Sequence, residues 1–257
     1  MLNLAIIGCG AIGTLIARYV DEKKLEGWTL IAVYDKVYDK AVKLSSSLKD
    51  AKPRISRSVD ELLGSKPDLV VEAASQEAVE EFGELVLNSG SDIVILSVGA
   101  LMDEKLLERL KRAAAANGKR IYVPSGAIAG VDALHALSLV GFDEITLRSS
   151  KPPEALSGKV GTLFKGHAEE AVKLFPANIN VAATLRLASG SDVAVEIVSD
   201  PSLKTNLHEI IAYSKASNIA IKVENKPDPE NPKTSYLAGL SVIALLKKLS
   251  SPIWLGN

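Results

Sequence analysis

The chain has a single cysteine, Cys9, among 257 residues. That excludes an internal disulfide and any zinc site built on thiolates. Glutamine is almost missing, with Gln76 alone, and there are two methionines. A shortage of thermolabile side chains is a trait of heat-adapted proteins. Charge of one sign is lacking too: 30 basic residues stand against 31 acidic ones, for a formal net charge of -1. Neither nucleic acid nor an anionic membrane is expected as a partner from that balance. No apolar run reaches the ~20 residues of a membrane span. The first residues, "MLNLAIIGCG", carry no basic leader and no cleavage site. Histidine is scarce, with His135, His167 and His208, and no His/Asp/Glu cluster has ligand spacing, so no metal is expected. A cytoplasmic soluble protein with one large or two small cores is the reading.

What is present begins with "LNLAII" at 2–7, an apolar run short enough for a buried strand. "GCGAIG" follows at 8–13 and then "TLIARYV", which reads as a helix. This is G-x-G-x-x-G in the strand–turn–helix setting that gives the pattern meaning. Gly8 serves the tight turn, Gly10 the approach of a pyrophosphate, and Gly13 the close packing of helix on strand. Ala11 and Ile12 complete the loop, whose free N–H groups hold an anion at the helix start. A second strand, "TLIAVYD", ends at Asp35, where an acid accepts the ribose hydroxyls and repels a 2′-phosphate. That favours NAD over NADP, although Lys36 beside it softens the preference. The βα alternation continues through "PDLVVEAA", "DIVILSVGAL" and "KRIYVPSGA", read as strands, with helices between. Ligands sit at the carboxyl ends of such strands. Those ends carry 73–76 (including Ala74 and Ser75), 97–101 and 124–130, all small and polar.

The pattern then changes. "VDALHALSLVG" reads as a short helix, "FDEITLRSSK" as a strand before a Pro-Pro turn, and "GHAEEAVKLFP" and "NINVAATLRLAS" as helices. Three strands follow at 192–200, 206–214 and 218–225, joined by connections too short for helical crossovers, which predicts an antiparallel meander. A proline-rich loop leads to a last amphipathic helix. The fold class expected is α/β: an N-terminal Rossmann-type doubly wound parallel sheet over 1–126, then an α+β substrate domain with an antiparallel sheet over 127–232. The helix at 233–250 is expected to pack back on the first domain. In the middle strand of the three, His208 shares a face with Asn206, Ile210 and Ala212. A histidine there is more often structural than catalytic, and pattern alone only places His208 ahead of His135 and His167.

The combination of "GCGAIG" (8–13), "PSGAIAG" (124–130), "KPP" (151–153), "FPANINVAATL" (175–185), "NLHEI" (206–210) and "NPKTSYLAGLS" (231–241) resembles the L-aspartate dehydrogenase family along essentially the whole chain. The resemblance implies that His208 is the active-site histidine and that Ala127 and Asn178 contact the nicotinamide cofactor. It implies a homodimer using NAD or NADP. The reaction implied is oxidation of L-aspartate to iminoaspartate, then hydrolysis to oxaloacetate and ammonia, with the physiological direction open, including supply of iminoaspartate to NAD biosynthesis. A dicarboxylate calls for cationic and hydroxyl partners, for which Lys151, Lys233, Thr234 and Ser189 are the candidates. Surface lysines and helix-capping hydroxyls are the plainer account of the same residues. The competing readings are a two-domain reductase of the dihydrodipicolinate reductase or homoserine dehydrogenase type, and a non-catalytic NAD-sensing protein.

Overall fold

A computed structural model of the chain describes residues 1–156, 158–175, 180–229 and 234–256. It divides into two compact units, Met1–Pro124 with Gly239–Leu255, and the intervening Ser125–Ala238 joined by the last residues.

The first unit starts with β1 (Leu2–Ile7), whose Leu4, Ala5 and Ile6 are fully buried. Then come α1 (Ala11–Asp21), β2 (Trp28–Tyr34), α2 (Tyr38–Ser47), a two-residue β3 (Arg54–Ile55) and α3 (Val59–Leu63). β4 (Leu69–Glu72), α4 (Gln76–Asn88), β5 (Asp92–Ile95), α5 (Glu104–Asn117) and β6 (Ile121–Tyr122) complete it. The strands are parallel in the order β3-β2-β1-β4-β5-β6. That is the order of a doubly wound dinucleotide fold, with the reversal between β1 and β4. Residues at the starts of these helices explain where they begin. Ser58 accepts from the Glu61 N–H, Ser75 from Ala78, and Asp103 from Lys105 and Leu106. The strand expected through 92–101 is shorter than its apolar run: β5 stops at Ile95, and Val98–Met102 is a turn of 3-10 helix. Gly99 and the small Ala100 suit a tight turn better than a pleat.

The second unit contains α6 (Val131–Leu137), β7 (Glu144–Lys151), β8 (Gly161–His167), α7 (Ala168–Leu174) and α8 (Asn180–Ser189). β9 (Ala194–Ser199), β10 (Asn206–Tyr213) and β11 (Asn218–Asn225) follow. β8 was not expected; its last two residues, Gly166 and His167, fall where the helix through "GHAEEAVKLFP" was expected to start, and α7 begins only at Ala168. The sheet runs β11-β10-β7-β9-β8 and is antiparallel except for the β7–β9 pair. The expected meander of β9, β10 and β11 is therefore corrected. β10 and β11 do form a hairpin, but β7 lies between β9 and β10. The connection at 200–205 is long enough to step over one strand, a distance of about 10 Å.

The two faces of this sheet are chemically opposite. On one, Ile145, Leu147, Val195, Ile197, Ile210 and Ala212 are buried; α7 packs on β8 and β9, and α8 on α6 and α7. On the other, Lys165, Glu196, Arg148, Glu209 and Lys222 stand in register across all five strands, alternating in sign. Glu196 lies 3.2 Å from Lys165 and 3.7 Å from Arg148. Such pairs on an open face contribute little each, but they fix which face meets water.

The last helix, α9 (Tyr236–Leu249), carries Val242, Ile243 and Leu246 into the core of the first unit beside Leu4, Ile16, Ala17, Val20 and Trp28. The indole Nε1–H of Trp28 donates to the Leu246 carbonyl at 2.8 Å, in a fully buried setting. Trp28→Phe removes this bond, leaving the Leu246 carbonyl only the Ser250 N–H at 3.2 Å, and is expected to lower unfolding free energy by about 0.5–1.5 kcal/mol; an unchanged denaturation midpoint would contradict this role for the tie.

Candidate active site

In the first unit the glycine loop is shaped by its neighbours. Gly8 has φ +99, and a Cβ on it would lie 2.5 Å from the Ala73 carbonyl oxygen. A Cβ on Gly13 would lie 2.0 Å from the Gly8 oxygen, so any side chain there forces α1 away from β1. Gly10, by contrast, faces open space, with nothing within 4 Å of its notional Cβ. It also caps α1, which has no side-chain cap and no acid in its first turn. Ala11 and Ile12 open that helix, and its free N–H groups and dipole suit an anion. These residues fit a dinucleotide pyrophosphate.

Asp35 stands at the end of β2, half-buried. Its carboxylate accepts from the Cys9 N–H and the Val37 N–H, each at 2.8 Å. The acid is thus held against the glycine loop, where a ribose would present its hydroxyls. Cys9 itself stays a thiol: burial, helped by Asp35, pushes it up to about 12.

Sequence reasoning passed over Glu72, the last residue of β4, which is 1% exposed. One oxygen accepts from the Ala74 N–H and the Ser97 hydroxyl, the other from the Leu96 and Ser97 N–H groups. Burial pushes its carboxyl above the usual range, and those four donors oppose the shift. One buried acid thereby fixes both loops, 73–76 and 96–97, at the carboxyl ends of β4 and β5. An acid closing the apolar run "DLVVE" was the available signal.

In the second unit His208 and Ser149 are paired across β10 and β7. Both are buried, and the Ser149 hydroxyl lies 3.1 Å from the imidazole Nδ1. Lys151 follows two residues later on the same face of β7 and is 6% exposed. Burial pulls Lys151 from 10.5 down to about 8. Burial first, and Lys151 second, hold His208 at about 4 rather than 6.5. His208 is therefore neutral at physiological pH, and Lys151 keeps its charge below about 8. Keeping that ammonium buried costs folding roughly 3 kcal/mol at neutral pH, a penalty relieved as pH rises from about 8 toward 10.5. Ser149 carried no signal in the sequence, because only the strand register puts it against His208.

The remaining candidates are scattered by comparison. Ser189 ends α8, and its hydroxyl is committed locally, donating to the Ser191 carbonyl and accepting the Ser191 N–H, each at 3.2 Å. The Ala127 carbonyl accepts from the Asn225 side chain at 3.0 Å, and the Asn225 oxygen accepts from the Ser235 hydroxyl. Thr234 is half-buried next to that serine, with its carbonyl accepting from the Asp228 N–H. Asn178 and Lys233 lie outside the described residues. Among the described residues, no group of three His, Cys, Asp or Glu is placed to hold a metal.

The unusual electrostatics give a direct test. With three histidines in the chain, imidazole resonances can be followed singly. His208 is expected to titrate at about 4, and to move upward in Lys151→Met. A midpoint at the ordinary value in the folded protein would contradict its burial beside a cation.

Comparison with known proteins bears on both units. A family model described as "Homoserine dehydrogenase, NAD binding domain" matches residues 8–124, and one described as "Aspartate dehydrogenase, C-terminal" matches 132–249. The chain is 42% identical to the L-aspartate dehydrogenase of Methanosarcina acetivorans and 41% identical to that of Methanocaldococcus jannaschii, each alignment covering both chains completely. The crystal structure of aspartate dehydrogenase from Thermotoga maritima superposes with a TM-score of 0.81 at 30% identity, again over the whole of both chains. The nucleotide-binding half is shared with other dehydrogenases, but the second half and the full-length identity are not ambiguous: this chain belongs to the L-aspartate dehydrogenase family of nicotinamide-dependent oxidoreductases.

Proposed function

We propose that the chain catalyses the NAD-dependent oxidative deamination of L-aspartate, reversibly, to iminoaspartate and then to oxaloacetate and ammonia. The first unit holds the dinucleotide through the glycine loop, Asp35 and the loop at Ala74 and Ser75; Ala127 and Asn178 are cofactor contacts on the family resemblance alone. The second unit holds the substrate. The observation that carries the reading is a buried, neutral imidazole at His208, tied to Ser149 beside the buried cation of Lys151.

When bound, the nicotinamide ring accepts hydride from the substrate Cα. The residues of this chain do the rest. Lys151 neutralises a substrate carboxylate and, through that contact, loses part of its hold on His208. The His208 midpoint then rises toward the range in which a histidine exchanges protons. To act as base His208 needs a free lone pair at Nε2, which puts the ring hydrogen on Nδ1, donating to the Ser149 oxygen. Ser149 thus orients the ring. His208 takes a proton from the water that attacks the imine carbon, and can return one to the departing nitrogen. General acid–base help of this kind contributes roughly 10²–10⁴-fold.

Asp35 supports NAD as the preferred form, since a 2′-phosphate would meet a carboxylate already fixed in place by two amides. Thr234 and Lys233 remain candidate substrate contacts because a dicarboxylate calls for cationic and hydroxyl partners, whereas Ser189 is left out of the mechanism because its hydroxyl serves its own turn. A cytoplasmic homodimer belongs to the same reading. Among the described residues, no helix is long and apolar enough to cross a membrane.

Absorbance of reduced cofactor at alkaline pH checks the proposal, with L-aspartate run beside D-aspartate, homoserine, alanine and glutamate, each with NAD and with NADP. Turnover confined to L-aspartate and faster with NAD is expected. Turnover on homoserine instead, or none with any of them while NADH still binds, would overturn it.

A further inference from the structure

The register of the second sheet extends the polar group beyond the residues named so far. Lys151 on β7 is paired with Ser199 on β9. On the other side, Leu207 is paired with Ser150, so the next step of the same antiparallel register sets Asn206 beside Lys151. Asn206 is in turn paired with Asn225 at the end of β11. Ser199, Lys151, Asn206 and Asn225 therefore form one cross-strand row, directly beyond the row that holds Ser149 and His208. The rows further along this face are apolar, with Leu147, Val195 and Ile210. The polar side chains are gathered at one end of an otherwise oily surface.

Ser199 is the unusual member. It is 1% exposed, and its hydroxyl is one of two buried side-chain oxygens without a hydrogen-bond partner among the described residues. An unpaired buried hydroxyl destabilises the fold, and alanine would fill nearly the same volume without that cost. The space around it is also open on one side. Ser199 is paired on β8 with Gly161, where a Cβ would meet nothing within 4 Å. A buried hydroxyl lacking a partner among the described residues, cross-strand from a buried lysine and beside open space, suits an anion.

We infer that Ser199 and Asn206, flanking Lys151 in this row, form with it the receptor for a carboxylate of the substrate. The identity of that substrate as a dicarboxylate rests on the function proposed above. Lys151 supplies the charge, while the hydroxyl of Ser199 and the amide of Asn206 supply neutral donors from the strands on either side. Neighbouring strands are about 4.8 Å apart, so the donors converge on one group from both flanks of the ammonium. The arrangement leaves His208, one row further in, clear of the carboxylate and free to act on the reacting carbon.

Two variants and two readouts test this. Ser199→Ala is expected to raise the KM for L-aspartate roughly ten- to hundredfold, as loss of a hydrogen bond to a charged group does. Its affinity for NADH should be unchanged and its ligand-free melting temperature no lower than that of the parent. Asn206→Asp is expected to raise KM further than Asn206→Ala, since it sets a like charge against the carboxylate. Succinate, a dicarboxylate that cannot be oxidised at an amine, should raise the melting temperature of the parent and do so less in Ser199→Ala. An aspartate KM and a succinate shift that are both unchanged in Ser199→Ala and Asn206→Ala would overturn the inference. If the parent fails to oxidise aspartate at all, the proposed function falls and the succinate shift decides alone. A shift reduced in Ser199→Ala upholds the receptor, and an equal or absent shift in both proteins removes it.

Discussion

A slip of one residue between β7 and β10 would undo the site. Side chains alternate along a strand, so the slip would turn Ser149 and Lys151 toward solvent and bring Arg148 against His208. The register is held from both faces. Inside, Ile145, Leu147, Ile210 and Ala212 must stay buried; outside, the alternating row from Lys165 to Lys222 would bring like charges opposite each other or be driven inward. The hydrophobic pattern of the sheet thus sets the chemistry at its end, and no loop has to be relied on to bring histidine, serine and lysine together.

That placement runs against stability. A buried ammonium and a buried imidazole beside each other both resist protonation, and the fold tolerates them because the rest of the face is well packed. The outcome is a histidine kept neutral well below physiological pH and a lysine still charged there. In the function proposed, an arriving carboxylate acts on both: it offsets the charge of the lysine and so raises the basicity of the histidine. Glu72 has a comparable standing in the first unit, where one buried acid with four donors sets the two loops at the carboxyl ends of β4 and β5.

Reading the chain alone recovered what depends on local chemistry. The glycine loop is legible because each of its glycines answers a local need, and Asp35 because it ends the next strand. His208 could be placed on an inward face by alternation, but its rank as catalyst came from family resemblance. What was not legible depends on pairing between distant segments. Nothing in "DVAVEIVSD" reveals that β9 lies alongside β7 rather than β10. β8 went unread because "GTLFKGH" has glycines at both its start and its interior and runs straight into the helical "AEEAVKL". Ser149 and Ser199 look like ordinary polar residues until the register sets them against His208 and Lys151, and Asn225 until its amide reaches the Ala127 carbonyl.

The most direct test of the account is the behaviour of His208→Asn, which keeps a polar, similarly sized side chain on β10 while removing a base. NADH affinity, read by fluorescence, should match the parent, and L-aspartate turnover should fall by two to four orders of magnitude, as loss of a general base does. A variant that binds NADH and turns over L-aspartate at the parent rate would contradict the central claim and leave His208 as a structural residue on a sheet.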